Sequence, residues 1–171
     1  MQHLFTLATV TALLLLLGCG DAGTSATGGP VAMRRLTGEQ YRNAIEDAFG
    51  SSVEVAGRFE PESRRDGLNA LGAALVAVTS SGFEQYEAMA RNIAGQVTSP
   101  EQRADLLPCQ PASAAAADNA CTEQVVRTFG RVLLRRPLGD EDVAPRVEAA
   151  ALTATAQGDF YAGVQLALTS L

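Results

Sequence analysis

Apolar positions recur every three or four residues through much of the chain, the spacing of a single buried helix face. Tyr41, Ile45, Ala48 and Phe49 form the first stripe, and Phe83, Tyr86, Met89, Ala90, Ile93 and Val97 the second. Val125, Val126, Phe129, Val132 and Leu133 form a third. Val147, Ala150, Ala151 and Ala154 carry the pattern on, and Phe160, Val164, Ala167, Leu168 and Leu171 end it. The pattern predicts an all-α fold of irregular helical modules with about six helices.

Start and stop signals place these helices. Thr37 and Gln40 have capping-box spacing, Glu39 suits the dipole of a first turn, and Gly50 suits a stop, so a helix is predicted over 38–49. Ser80, Ser81 and Gly82 precede a helix over about 82–96, with Glu87 and Arg91 paired one turn apart. Ser99, Pro100 and Glu101 have the order of a helix start, and that helix must end before Pro108. Past Cys121 the next helix has Glu123 early and Arg131, Arg135 and Arg136 late, as the macrodipole favours, until Pro137 stops it. Asp140, Glu141 and Asp142 open another helix, which runs to Gly158. Pro145 would lose an interior hydrogen bond there unless Asp142 is the cap. The last helix, about 159–171, carries no C-cap signal. Between helices, Val53, Val55 and Phe59 are expected to dock an extended segment, and the apolar residues 68–78 to form an irregular buried stretch with some helix.

The N-terminus is different. Residues 4–17 are apolar apart from threonines and end in five leucines. That length is short for a membrane span and right for a signal-peptide core. The run closes in Leu16-Leu17-Gly18-Cys19, which matches the bacterial lipobox. The match implies cleavage after Gly18 and lipid on Cys19, although Met1-Gln2-His3 lacks the usual positive charge. Residues 21–30, rich in Gly, Ser, Thr and Ala, read as a flexible tether.

Composition narrows the chemistry. The chain has 13 Lys+Arg against 19 Asp+Glu, and every positive residue is arginine. An acidic chain with scattered arginine pairs is a poor match for nucleic acid. Its one histidine, His3, precedes the predicted cleavage site. The mature chain then has no Ser-His or Cys-His nucleophile and no His-ligated metal site. Walker A and G-x-G-x-x-G motifs are absent. With Cys19 committed to lipid, Cys109 and Cys121 are an even number in an exported protein and point to a disulfide. Closing that loop would stabilise the fold by about 3 kcal/mol. The competing reading, a metal pair, lacks two further ligands. Glu60/Glu62 and Asp140/Asp142 have the form of acid–base or calcium pairs, but a polar loop and a helix start account for them more simply.

Two separated pieces resemble one family. The segment RRLTGEQYRNAIEDAFG resembles the opening of large, uncharacterised surface proteins of planctomycetes and myxobacteria, built from planctomycete-specific (PSD-type) domains of unknown function. FEPESRRDGLNALGAALVAV resembles the region that follows, and FGRVLLRRPLGDED the motif that opens the next module. The resemblance spans about 34–150, although Gly139 stands where Thr or Ser is common. It implies a chain that runs on past Leu171, so the sequence reads as an N-terminal, truncated portion. Some members carry haem modules, but no Cys-x-x-Cys-His occurs here, and the family supplies no catalytic residues.

The expected organisation is a signal peptide over 1–18, a lipidated cysteine and tether over 19–33 and a first helical module over 34–107. An inter-module loop over 108–120 and a truncated second module over 121–171 follow. The expected molecule is a lipid-anchored envelope protein of the inner or outer membrane, a scaffold or binding module rather than an enzyme. It needs no cofactor or metal, and its partner is an envelope protein or polysaccharide. The alternative is an accessory portion of a larger redox or polymer-degrading surface protein whose catalytic or haem part lies elsewhere.

Overall fold

The computed structural model describes residues 35–62, 66–67 and 78–171. The predicted signal peptide, Cys19, the tether to residue 33 and the apolar residues 68–77 lie outside the described residues. Among those described there are six helices and no strand, so the fold is all-α: α1 (Gly38–Phe49), α2 (Ser80–Val97), α3 (Arg103–Leu106), α4 (Asn119–Leu133), α5 (Asp140–Gln157) and α6 (Phe160–Thr169). No described helix is long and apolar enough to cross a membrane.

The first helix forms as its capping signals dictate. The Thr37 hydroxyl accepts from the Gln40 N–H at 3.1 Å, and the Gln40 side chain accepts from the Thr37 N–H at 3.0 Å. Glu62 accepts from the Gly38 N–H at 2.7 Å, so a second unpaired first-turn donor is satisfied from a distant loop. Gly50, at φ 81°, ends the helix.

Several starts and faces differ from the sequence expectation. Helix α2 begins at Ser80 rather than 82, because the Thr79 hydroxyl is the cap and accepts from the Gly82 N–H at 3.0 Å. Its inner face then runs through Gly82, Met89 and Ile93, all buried, and Phe83, one residue round from Gly82, is 67% exposed. Val132 likewise faces solvent at the end of α4, outside the expected stripe. Ser99 does not start a helix directly. Its carbonyl accepts from the Gln102 and Arg103 N–H groups, closing a turn before the four-residue α3. Helix α4 begins two residues ahead of Cys121, capped by Asp118, whose Oδ1 accepts from the Cys121 N–H at 3.0 Å.

Helix α5 begins at Asp140, with Pro145 inside it, contrary to the expected cap at Asp142. Asp142 occupies the third position instead, where its carboxylate accepts from the Gly139 N–H at 3.2 Å, half of a capping box. Pro145 leaves the Glu141 carbonyl without its i+4 donor, and both residues are exposed, so water can take that place. The Arg pair also behaves differently. Helix α4 ends at Leu133, Arg135 takes a left-handed conformation at φ 53°, and Arg136 reaches forward to clamp both Asp142 oxygens at 2.6 and 2.7 Å.

One core draws on both sides of the 108–120 loop. Ile45, Phe49 and Val53 pack with Ile93 and Val97, with Val125 and Phe129, and with Phe160, Val164 and Leu168. The Phe49 and Phe129 ring centroids are 4.6 Å apart, which joins α1 to α4. A smaller cluster of Val126, Val143, Ala150 and Ala167 lies beneath α5. Helices α5 and α6 make the most extensive contact. Gly163 permits it, because a Cβ there would collide with the Ala150 carbonyl oxygen. The Thr169 and Ser170 hydroxyls donate to the Gln165 and Ala167 carbonyls, each at 2.7 Å, and Arg146 of α5 donates to the Ser170 carbonyl at 3.0 Å, so the last helix is closed by its own residues and by a neighbour.

Candidate functional site

Cys109 and Cys121 are joined, with an S–S distance of 2.02 Å and Cα atoms 5.7 Å apart. The bond ties the end of the α3 turn to the first turn of α4. The intervening loop is held at further points. Asp118 accepts from the Ala112 N–H at 3.1 Å, the Phe160 N–H donates to the Ala114 carbonyl at 2.9 Å, and the Tyr161 hydroxyl meets Gln110 at 3.2 Å. Hydrogen bonds from the Cys121 and Ala112 N–H groups hold the Asp118 carboxyl below the usual range. These contacts make the loop a brace between α4 and α6.

Helices α4 and α5 enclose an open groove of about 920 Å³. Its floor and far wall come from α5, through Val143, Val147, Ala151 and Leu152. Leu152 is 67% exposed. Glu123, Asp140 and Glu148 stand on its rim. Arg127 bridges two of these acids, donating to Glu123 at 2.7 Å and to Asp140 at 2.6 Å. A smaller cavity of about 230 Å³ lies among Leu36, Tyr41, Ile45, Phe49, Leu133 and Leu168.

The polar centre of the N-terminal region is Glu60. Its carboxylate accepts from the Thr79 hydroxyl at 2.5 Å, from the Thr79 N–H at 3.1 Å and from Arg35 at 2.5 Å. The Arg35 and Glu60 side chains are 8% and 10% exposed, and Arg35 also donates to the Pro61 carbonyl at 2.9 Å. Gly82 makes room for this carboxylate, since a Cβ there would strike it. Residues 34–99 match the family described as PSD3, Protein of unknown function (DUF1587). This span is a PSD3 domain. No curated protein and no solved structure matches the chain.

Within the PSD3 domain, three rings gather beside the Glu60 knot. Tyr41 and Phe59 are 5.5 Å apart edge-on, Tyr41 and Tyr86 6.0 Å, and Phe59 and Tyr86 6.1 Å. Arg42 lies 4.7 Å over the Phe59 ring. Hydrogen bonds from the Thr79 hydroxyl and N–H, followed by Arg35, hold the Glu60 carboxyl below the usual range. Burial pushes the Tyr41 and Tyr86 hydroxyls up. The arrangement ties helix starts together, because Glu60 binds the α2 cap and Glu62 the α1 first turn.

The other sequence candidates also find structural partners. Glu60 and Glu62 point to separate helix starts rather than to a shared ion, and Asp140 and Asp142 are taken by Arg127 and Arg136. Among the described residues no three His, Cys, Asp or Glu side chains are grouped to hold a metal ion. Sequence reasoning missed Arg35, Thr79 and Arg127. The first two lie 25 and 19 residues from Glu60, beyond the reach of local patterns. The Glu123–Arg127 spacing was available as a signal, since an i,i+4 acid–base pair marks an exposed helix face.

Proposed function

We propose that the chain is an exported protein anchored by lipid on Cys19, in which the PSD3 domain and the helices after it serve as a scaffold or binding module of the cell envelope. The observation that carries this reading is Leu16-Leu17-Gly18-Cys19 after an apolar run, followed by a small-residue tether. The Cys109–Cys121 bond supports it, because structural disulfides persist in oxidising compartments. Acyl chains on Cys19 exceed the two signals that stable membrane attachment needs. The partner in this reading is another envelope component, with the tether giving the helical part reach beyond the bilayer.

The test is metabolic labelling of full-length chain in a bacterial host with an alkyne fatty acid, with mass spectrometry of the mature N-terminus. Acylated Cys19 in the membrane fraction is expected, and Cys19→Ser should abolish the label and release the chain. An unmodified Cys19 in membrane-fraction material would overturn the anchor.

A further inference from the structure

The α4–α5 groove combines three properties that do not arise from one cause. It has the volume of a binding site, about 920 Å³, where ligand sites run from roughly 300 to 1,000 Å³. Its α5 wall is built from Ala144, Val147, Ala151 and Leu152, an apolar stripe that continues outward from the core, since Val147 also packs against the cluster of Val126, Val143, Ala150 and Ala167. Small side chains on such a wall let another helix approach closely. From Ala144 to Ala156 the wall is about 18 Å long at 1.5 Å per residue, three turns of a partner helix. The rim, finally, carries net negative charge. Arg127 is shared between Glu123 and Asp140, and Glu148 stands beside Leu152 with no arginine paired to it among the described residues.

We infer that this groove docks an amphipathic helix of a partner protein, with small apolar residues against α5 and arginine or lysine at the acidic rim. The inference rests on the binding-module reading above and names the partner's chemistry. A second copy of this chain is a poorer fit. Its net charge of −6 opposes close approach, and the exposed Phe83 face of α2 carries Glu84, while Glu87 there is already paired with Arg91. A rim of this kind steers encounter and selects partners, while the apolar wall supplies most of the contact area.

The test uses the full-length chain in phosphatidylcholine nanodiscs and a synthetic helix of about 14 residues, leucine and alanine on one face and arginine on the other. A twin peptide carries glutamate in place of arginine, and empty nanodiscs give the background. The arginine peptide is expected to bind more weakly as salt rises. Glu148→Arg should weaken it about tenfold, while Glu84→Arg on α2 leaves it unchanged. A photo-crosslinking residue at Leu152 should capture the peptide, and one at the equally exposed Phe83 should not. Equal binding of the two peptides, equal loss from both charge reversals, or capture at Phe83 would overturn the inference. So would crosslinking of Leu152 to a second copy of the chain in place of the peptide. The crosslinking uses wild-type charges, so the outcome does not depend on folding of the reversal variant. Failure here with Cys19 acylated would remove the helix-docking groove and leave the anchor standing.

Discussion

The N-terminal region and the α5–α6 hairpin reach order by opposite means. Around Glu60, three hydrogen bonds converge on one carboxylate from segments 19 and 25 residues away, and an aromatic trio packs alongside. In the hairpin, Gly163 lies on the Ala150 backbone, Ala154 fills the next turn, and polar contacts are confined to the ends. The first region is held by groups that must each find a named partner. The second is held by the absence of side-chain bulk. A polar knot should therefore respond to pH and to single-atom changes, whereas a close helix contact should respond to volume.

Changes in each region sharpen this contrast. The largest effect belongs to the disulfide brace between α4 and α6, which sets the scale for both. Reducing Cys109–Cys121, or replacing both by alanine, should cost about 3 kcal/mol, read as a fall in the denaturant midpoint. Gly163→Leu should cost about 2 kcal/mol, because its side chain meets backbone that cannot give way. The same leucine at Ala151, on the groove, should be nearly neutral. If both substitutions cost the same, close approach is not what orders the hairpin.

Glu60→Gln tests the other side. Glu60 has a depressed folded pKa, so its contribution is present above the unfolded value of about 4.3 and is lost as pH falls through the folded one. Melting temperature at neutral pH should drop, by less than disulfide loss produces, and the variant should lose part of the wild-type decline in acid. A variant that melts with the wild-type pH profile would show that the knot is not ionic in effect. The smallest effect is expected at Arg135. Its φ of 53° costs an L-residue about 1 kcal/mol, so Arg135→Gly should raise stability by roughly 0.5–1 kcal/mol in thermal melts.

These differences also explain what could be read in advance. Helix α1 was legible to the residue, since Thr37, Gln40 and Gly50 act within four positions of one another or of the helix end. The cysteine pair was legible from parity and compartment. Arg136 was misread as a dipole partner because its true partner, Asp142, belongs to the next helix and depends on how the chain turns at Pro137. Phe83 and Val132 fit a helical stripe by spacing, yet spacing says nothing about where the neighbouring core stops. The Glu60 knot and the α4–α5 groove were hidden for different reasons. The knot joins segments 19 and 25 residues apart, and the groove exists only through the angle at which two consecutive helices meet, which residue spacing does not state.

The short separation of the bonded cysteines bears on a problem of choice. Three cysteines allow three pairings, and only one leaves Cys19 free for its proposed lipid. Cys121 lies 12 residues from Cys109, whereas Cys19 is 90 positions from Cys109 by the same numbering. Loop-closure entropy makes the nearer thiol the higher in effective concentration by on the order of tenfold, before any tertiary contact forms. Asp118 adds direction, since capping α4 fixes the Cys121 backbone at the end of the loop. The chain can thus sort its thiols by proximity alone. Cys109 and Cys121 find each other, and Cys19 is left over for the lipid proposed above.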